Sequence, residues 1–154
     1  PPDNSSLSVK LNKVFNEGEK IHEYRCERGC TGQALQKKTL QDVTATKFLT
    51  VFVTRTRRIT QRRFEIITAD VSVTENITLV DLQNNEGTFE PICVLQHLGQ
   101  LRGDGSSSGH YIADVRHQGT NKWFTTSDNG IPKPISSSEV SKRGSVILYK
   151  NINI

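Results

Sequence analysis

The stretch SGHYIADVRHQGTNKWFTTSDN, from Ser108 to Asn129, reads as two antiparallel strands and the turn between them. Gly109 to Arg116 and Lys122 to Thr126 are the strands, joined around the turn-forming Gln118-Gly119-Thr120-Asn121. His110 stands at the start of the first strand, and Ser127-Asp128-Asn129 follow the second. Such a hairpin sets the end of one strand beside the start of its neighbour, within reach of a histidine there. A hydrolase built from a nucleophile, a base and an orienter needs that pairing of base and third group. His110 is the candidate base. Ser127 or Asp128 is the candidate acceptor that fixes its tautomer. The plainer reading of Ser127-Asp128-Asn129 is a turn, which these residue types favour for local hydrogen-bonding reasons.

Outward from this hairpin, Leu7, Leu11, Val14 and Phe15 recur at helical spacing, with Ser5 or Ser6 as N-cap and Gly18 as the stop. Residues 20–32 hold Cys26-Glu27-Arg28-Gly29-Cys30, a tight knuckle. Phe48 to Val53 reads as a buried strand, residues 54–63 as a basic polar hairpin tip, and Phe64 to Val73 and Ile77 to Leu82 as further strands. After a turn at Asn84 to Gly87, Phe89 to His97 reads as a strand in which Pro91 marks an edge or a bulge. Gly99 to Gly109, rich in Gly and Ser, reads as a flexible loop. Ser136 to Glu139 has the pattern of a capping box for one helical turn, and Ser145 to Lys150 is a last strand. The sum is a helix followed by a mostly antiparallel sheet, an α+β pattern.

The 154 residues suffice for one domain with a modest core, or for part of a larger one. The hydrophobic fraction, 34%, is low for a self-sufficient globule and fits a domain completed by another segment. A net charge of +4 allows acidic partners without demanding nucleic acid, and the arginines at 55, 57, 58, 62 and 63 lack the interleaved aromatics that stack on bases. No apolar run is long enough to span a bilayer, and no signal peptide is visible. The start at Pro1-Pro2 reads as a processed piece or a fragment. The sequons at Asn4 and Asn76 and the tripeptide Arg102-Gly103-Asp104 are read as chance. Three cysteines, an odd and sparse set, argue against a disulfide-stapled domain. Cys26 and Cys30 are half of a zinc site, needing ligands from elsewhere, or the remnant of one. Cys93, between Ile92 and Val94, reads as a core cysteine rather than a nucleophile. His22, His97 and His117 lack a setting like that of His110, although His97 at a strand end is a weaker candidate for the same cleft.

These motifs, in this order, resemble the C-terminal half of the catalytic domain of ubiquitin-specific proteases, papain-like cysteine proteases with fingers, palm and thumb. The resemblance runs nearly end to end. Ser6 to Glu17 is similar to the helix before the fingers, and Tyr24 to Cys30 to the fingers' second cysteine pair with one extra residue. Phe48 to Arg55 is similar to a palm strand, and Pro91 to Gly99 to the strand entering the blocking loop. Ser108-Gly109-His110-Tyr111 is similar to the histidine box, Trp123 with Ser127-Asp128 to the closing motif, and Ser145 to Tyr149 to the final strand. The resemblance implies a single region over 1–154, fingers-like at 20–80 and palm at 88–150. It implies cleavage after the C-terminal glycine of ubiquitin by a cysteine thiolate, with His110 as base and Ser127 or Asp128 as orienter. It implies that Ser108, Gly109 and Tyr111 line the ubiquitin tail's channel, Gly109 leaving room for its backbone. Three departures qualify it: no nucleophilic cysteine box is present, Ser127 stands where the family carries Asp or Asn, and Thr54-Arg55-Thr56-Arg57 replaces the usual strand end. The triad is therefore Cys-His-Ser assisted by Asp128, or a weakened one, and this chain alone should hydrolyse nothing. Ubiquitin or a ubiquitin-like protein, and the missing N-terminal half, are the implied partners, in the cytoplasm or nucleus. No cofactor is implied beyond a structural zinc completed by a missing segment. The alternatives are an inert ubiquitin-binding scaffold and, more plainly, a basic β-rich interaction domain.

Overall fold

The structure, a computed structural model, describes residues 6–60, 63–101, 107–128 and 130–154. Ser5 as a cap, the sequon at Asn4, Arg62, Arg102-Gly103-Asp104 and Asn129 lie outside the described residues.

The helix forms as its spacing predicts. α1 spans Leu7–Asn16, and the Ser6 hydroxyl caps it by accepting from the Val9 N–H at 3.4 Å. It ends at Glu17, and Gly18 then takes φ +70°, a left-handed exit suited to glycine. Leu7 is buried, Leu11 and Phe15 pack on the same core, and Asn12 Nδ2 donates to the Thr78 carbonyl at 3.4 Å.

Eleven strands are described: β1 (Glu19–Arg25), β2 (Thr31–Gln36), β3 (Phe48–Phe52), β4 (Thr56–Thr60), β5 (Arg63–Ile66), β6 (Ile77–Val80), β7 (Glu86–Leu101), β8 (Ser107–Arg116), β9 (Trp123–Thr126), β10 (Lys133–Ile135) and β11 (Val146–Asn151). Seven make one antiparallel sheet in the order β10-β9-β8-β7-β11-β3, with β6 also on β7. β1–β2 and β4–β5 are separate hairpins. The α+β expectation of one helix and a mostly antiparallel sheet therefore holds. No helix among the described residues is long and apolar enough to cross a membrane.

β7 is the spine of the large sheet. It pairs β6 through Glu86 to Phe89, β11 through Phe89 to Leu95, and β8 through Cys93 to Leu101. Pro91, which has no N–H to donate, lies between the β6 and β8 pairings, where β11 also shifts register. Residues facing each other across an antiparallel pair share a face, so the registers sort the side chains. Val51, Val94, Ile147, Tyr149 and Trp123 fall on one face and are buried. Phe48 and Phe52 fall on the other and are 56% and 75% exposed. The strand expected to be buried is thus the sheet's edge, and within it only Val51 is buried.

Other differences have local causes. Phe64 to Val73 is a strand only as far as Ile66. Beyond it Val71 and Val73 are buried, but the Ile67 and Val71 N–H groups donate to the Arg55 and Lys142 carbonyls rather than to a ladder. Gly99 to Leu101 and Ser107 to Gly109, expected in a loop, are paired parts of β7 and β8. Ser136 to Glu139 forms a hydrogen-bonded turn rather than a helix, in which Glu139 Oε2 accepts from the Ser136 N–H and hydroxyl, both at 2.7 Å. Cys26 and Cys30 form a disulfide, their Cα atoms 5.4 Å apart. The knuckle that aligns them has the Cys26 N–H on the Cys30 carbonyl, the Gly29 N–H on the Cys26 carbonyl, and Gly29 at φ +82°. In this state the pair offers no thiolates, a departure from the half-zinc-site reading.

Candidate functional site

His110 and its two candidate orienters meet at the edge of the β8–β9 hairpin. Asp114 faces Thr125 and Ala113 faces Thr126 across that pair, so Ser127, one residue further, falls on the face shared by Asp114, Ile112 and His110. The chain then turns tightly. The Gly130 N–H donates to the Ser127 carbonyl at 2.8 Å, and Asp128 takes φ +43°, a left-handed conformation that aspartate tolerates better than most residues.

The turn places one side chain on each ring nitrogen. His110 Nε2 is hydrogen-bonded to the Ser127 hydroxyl. His110 Nδ1 lies 3.2 Å from Asp128 Oδ2. A carboxylate only accepts, so on a neutral ring it assigns the proton to Nδ1, and Nε2 then accepts from the Ser127 O–H. The sequence left open which of the two residues touches the histidine; both do, on opposite sides of the ring. The His110 side chain is 43% exposed and that of Asp128 77%, so water screens the pair and its contribution to stability is small.

Around this centre the other candidates separate. Tyr111 alternates to the opposite face, where it is 62% exposed and its ring lies 4.7 Å from that of His97. Both residues therefore stand off the His110 face. Ser108 is exposed and pairs with Gln100. Gly109 faces Gly99 across the ribbon, and a Cβ built on Gly109 would lie 2.6 Å from Gly99 Cα and press on the Leu98 carbonyl oxygen. The neighbouring strand alone thus excludes a side chain at Gly109. Gly99 is the partner the sequence reading missed, and its signal was a glycine inside a run of strand-forming residues.

Cys93 lies on the face opposite His110, and burial, assisted by the Asp114 carboxylate, pushes its thiol up from the ordinary 9.0. Cys93 is thus half-buried on the face away from the core cluster, not the core cysteine expected, and its raised thiol makes it a poor nucleophile. Asp114 itself is buried and accepts from the Ser141 N–H at 2.8 Å. His117 Nδ1 accepts the Thr120 N–H at 3.2 Å and shapes the β8–β9 turn. In the basic run, Arg57 pairs with Glu65 at 2.6 Å. Arg55 donates to three carbonyls, those of Gly144 at 3.0 Å, Ala69 at 2.6 Å and Lys142 at 2.9 Å, and burial lowers its pKa. Arg55 is thus a structural pin. Among the described residues no group of three or more His, Cys, Asp or Glu side chains is placed to hold a metal ion.

No protein-family model and no curated protein matches the sequence. Solved structures do match its fold. A chain of the SAGA Ubp8/Sgf11/Sus1/Sgf73 DUB (deubiquitinase) module bound to ubiquitin aldehyde superposes with a TM-score of 0.69 at 19% identity, covering 98% of this chain and 34% of that one. A chain of the yeast SAGA DUB module gives 0.73 at 20% identity, covering 97% of this chain and 33% of the other. An essential yeast splicing factor gives 0.53 at 11% identity, covering 96% and 30%. The fold is therefore that found in a chain of a deubiquitinase module, and this chain spans about a third of the length of the solved chains it matches.

Proposed function

We propose that this chain is the histidine-bearing part of a deubiquitinating thiol protease of the ubiquitin-specific-protease type. The observation that carries the reading is the contact of His110 with Ser127 and Asp128, within a fold shared with a deubiquitinase-module chain over nearly the whole length. In the complete enzyme a cysteine thiolate from another segment attacks the carbonyl of ubiquitin's C-terminal glycine. His110 takes the thiol proton and later protonates the departing lysine amine. Whichever of Ser127 and Asp128 stays on the ring during this transfer orients it. A carboxylate stabilises imidazolium more than a hydroxyl does. The exposed β1–β2 hairpin suits a grip on the ubiquitin body, and zinc there would require a reduced Cys26–Cys30 pair and ligands from another segment. The proposed location is the cytoplasm or nucleus.

A second reading, an inert ubiquitin-binding scaffold, draws on two facts. Both His110 nitrogens are already engaged within the chain, and serine replaces the family's Asp or Asn. The test is to express the full-length natural protein and treat it with a ubiquitin probe that traps catalytic cysteines, measuring ubiquitin binding in parallel. The protease reading expects labelling that His110→Ala abolishes while binding stays within about two-fold, because general-base loss acts on the rate. Binding without labelling favours the scaffold, and the absence of both labelling and binding removes the ubiquitin role.

A further inference from the structure

We infer that Ser127 is itself a nucleophile, so that Ser127, His110 and Asp128 form a self-contained acyl-transfer centre for small, solvent-accessible esters. The inference rests on the order of contacts around one ring. The Ser127 hydroxyl sits on Nε2 and the Asp128 carboxylate lies 3.2 Å from Nδ1. An orienter holds one nitrogen and leaves the other for the group to be deprotonated. Here the carboxylate holds the nitrogen that carries the proton, and the hydroxyl occupies the one with the free lone pair. Hydroxyl, imidazole and carboxylate in that sequence are the relay that activates a serine. No thiol enters it: Cys93 lies on the other sheet face, and Cys26 and Cys30 are joined.

The step balances within these groups and the ester. Ser127 Oγ attacks the acyl carbon as its proton passes to His110 Nε2, and the carbonyl π pair moves onto oxygen. Collapse of that intermediate expels the alkoxide or phenoxide, which takes the proton from Nε2. Water then attacks the acyl-serine, giving its proton to Nε2 and freeing the carboxylic acid, and Ser127 recovers its proton. Asp128 keeps Nδ1–H in place and stabilises the imidazolium, though its exposure screens the effect. The expected acceleration is therefore about 100-fold, the low end of general-base catalysis.

The test uses the 154-residue chain, a fluorophosphonate probe and p-nitrophenyl acetate. No ubiquitin is present, so failure here leaves the deubiquitinase reading standing, and the reverse. The expected result is a single adduct mapped to Ser127 and ester hydrolysis that falls about 100-fold in Ser127→Ala and His110→Ala. Asp128→Asn, which preserves size, should give an intermediate loss with an unchanged unfolding temperature. Absence of an adduct on Ser127 overturns the inference, as does labelling that survives His110→Ala or hydrolysis that persists in folded Ser127→Ala.

Discussion

Replacing Gly109 with alanine should loosen the ribbon that carries His110. The glycine is required for space, because only Gly18 and Gly29 have positive φ among the described glycines. A Cβ on Gly109 would stand 2.6 Å from Gly99 Cα and 2.7 Å from His97 Nε2, besides pressing on the Leu98 carbonyl oxygen. Ordinary carbon–carbon contact is about 3.5 Å, so something must give by about 1 Å. The His97 ring can swing away; the backbones at Leu98 and Gly99 can yield only by parting β7 from β8. Overpacking of this kind costs about 1–3 kcal/mol. A loss of about 2 kcal/mol lowers the unfolding temperature of a chain this size by about 4–8 °C. His110, the next residue, shifts with the strand, and a misplacement of about 1 Å costs on the order of 100-fold in rate. Thermal unfolding by circular dichroism, with probe labelling in parallel, measures both. Gly32→Ala is the control, since a Cβ there meets nothing within 4 Å, and its stability should change by less than about 0.5 kcal/mol. A Gly109→Ala protein with the wild-type unfolding temperature and labelling rate would refute the reasoning.

Arg55→Ala strips three carbonyls of their guanidinium donor and should cost about 2–4 kcal/mol in urea unfolding; Arg55→Lys, lacking the planar fork, should recover less than half of it. Tyr149 is fully buried and its hydroxyl has no partner among the described residues, so Tyr149→Phe should stabilise by about 1 kcal/mol, and a lowered unfolding temperature would show that the hydroxyl is satisfied. Burial pushes the Asp81 carboxyl up, but N–H donors from Asn85 and Gln83 outweigh it and hold the group below the ordinary 3.8. A carboxyl lowered on folding stabilises above its unfolded pKa, and that contribution is lost as pH falls through the folded value. Between pH 5 and pH 2 (about the window this sign implies), wild type should lose more stability in urea titrations than Asp81→Asn; parallel losses would remove Asp81 from the account.

The hairpin around His110 was legible because strand-forming residues and a polar turn are local signals; Trp123 obeys the alternation, whereas in the first strand Val115 is exposed and Asp114 is buried. β1 was not legible. Within Glu19–Arg25 only Ile21 and Tyr24 are strongly apolar, and a register shift between them, with Glu23 at φ +57°, breaks the period. Residues 67–73 failed in the opposite sense. Val71 and Val73 alternate into the core as a strand would, yet their segment bonds to loop carbonyls, and hydrophobic period records burial rather than ladder partners. Ser136 and Glu139 form their capping contact without a helix, since one turn supplies too few bonds to propagate.

The sequence by itself determined the α+β composition, the helix with a serine cap at Ser5 or Ser6, the strands of the large sheet apart from short β10, and the proximity of His110 to Ser127-Asp128. All of these rest on periodicity and short-range chemistry. Only the tertiary structure decided which nitrogen of His110 each neighbour takes, because that depends on the left-handed turn at Asp128. It alone put Cys93 across the sheet from His110, joined Cys26 to Cys30, and spent the Arg55 charge on backbone carbonyls. The Cys93 and Arg55 outcomes are set by register and by contacts between residues distant in the chain, which no local pattern encodes.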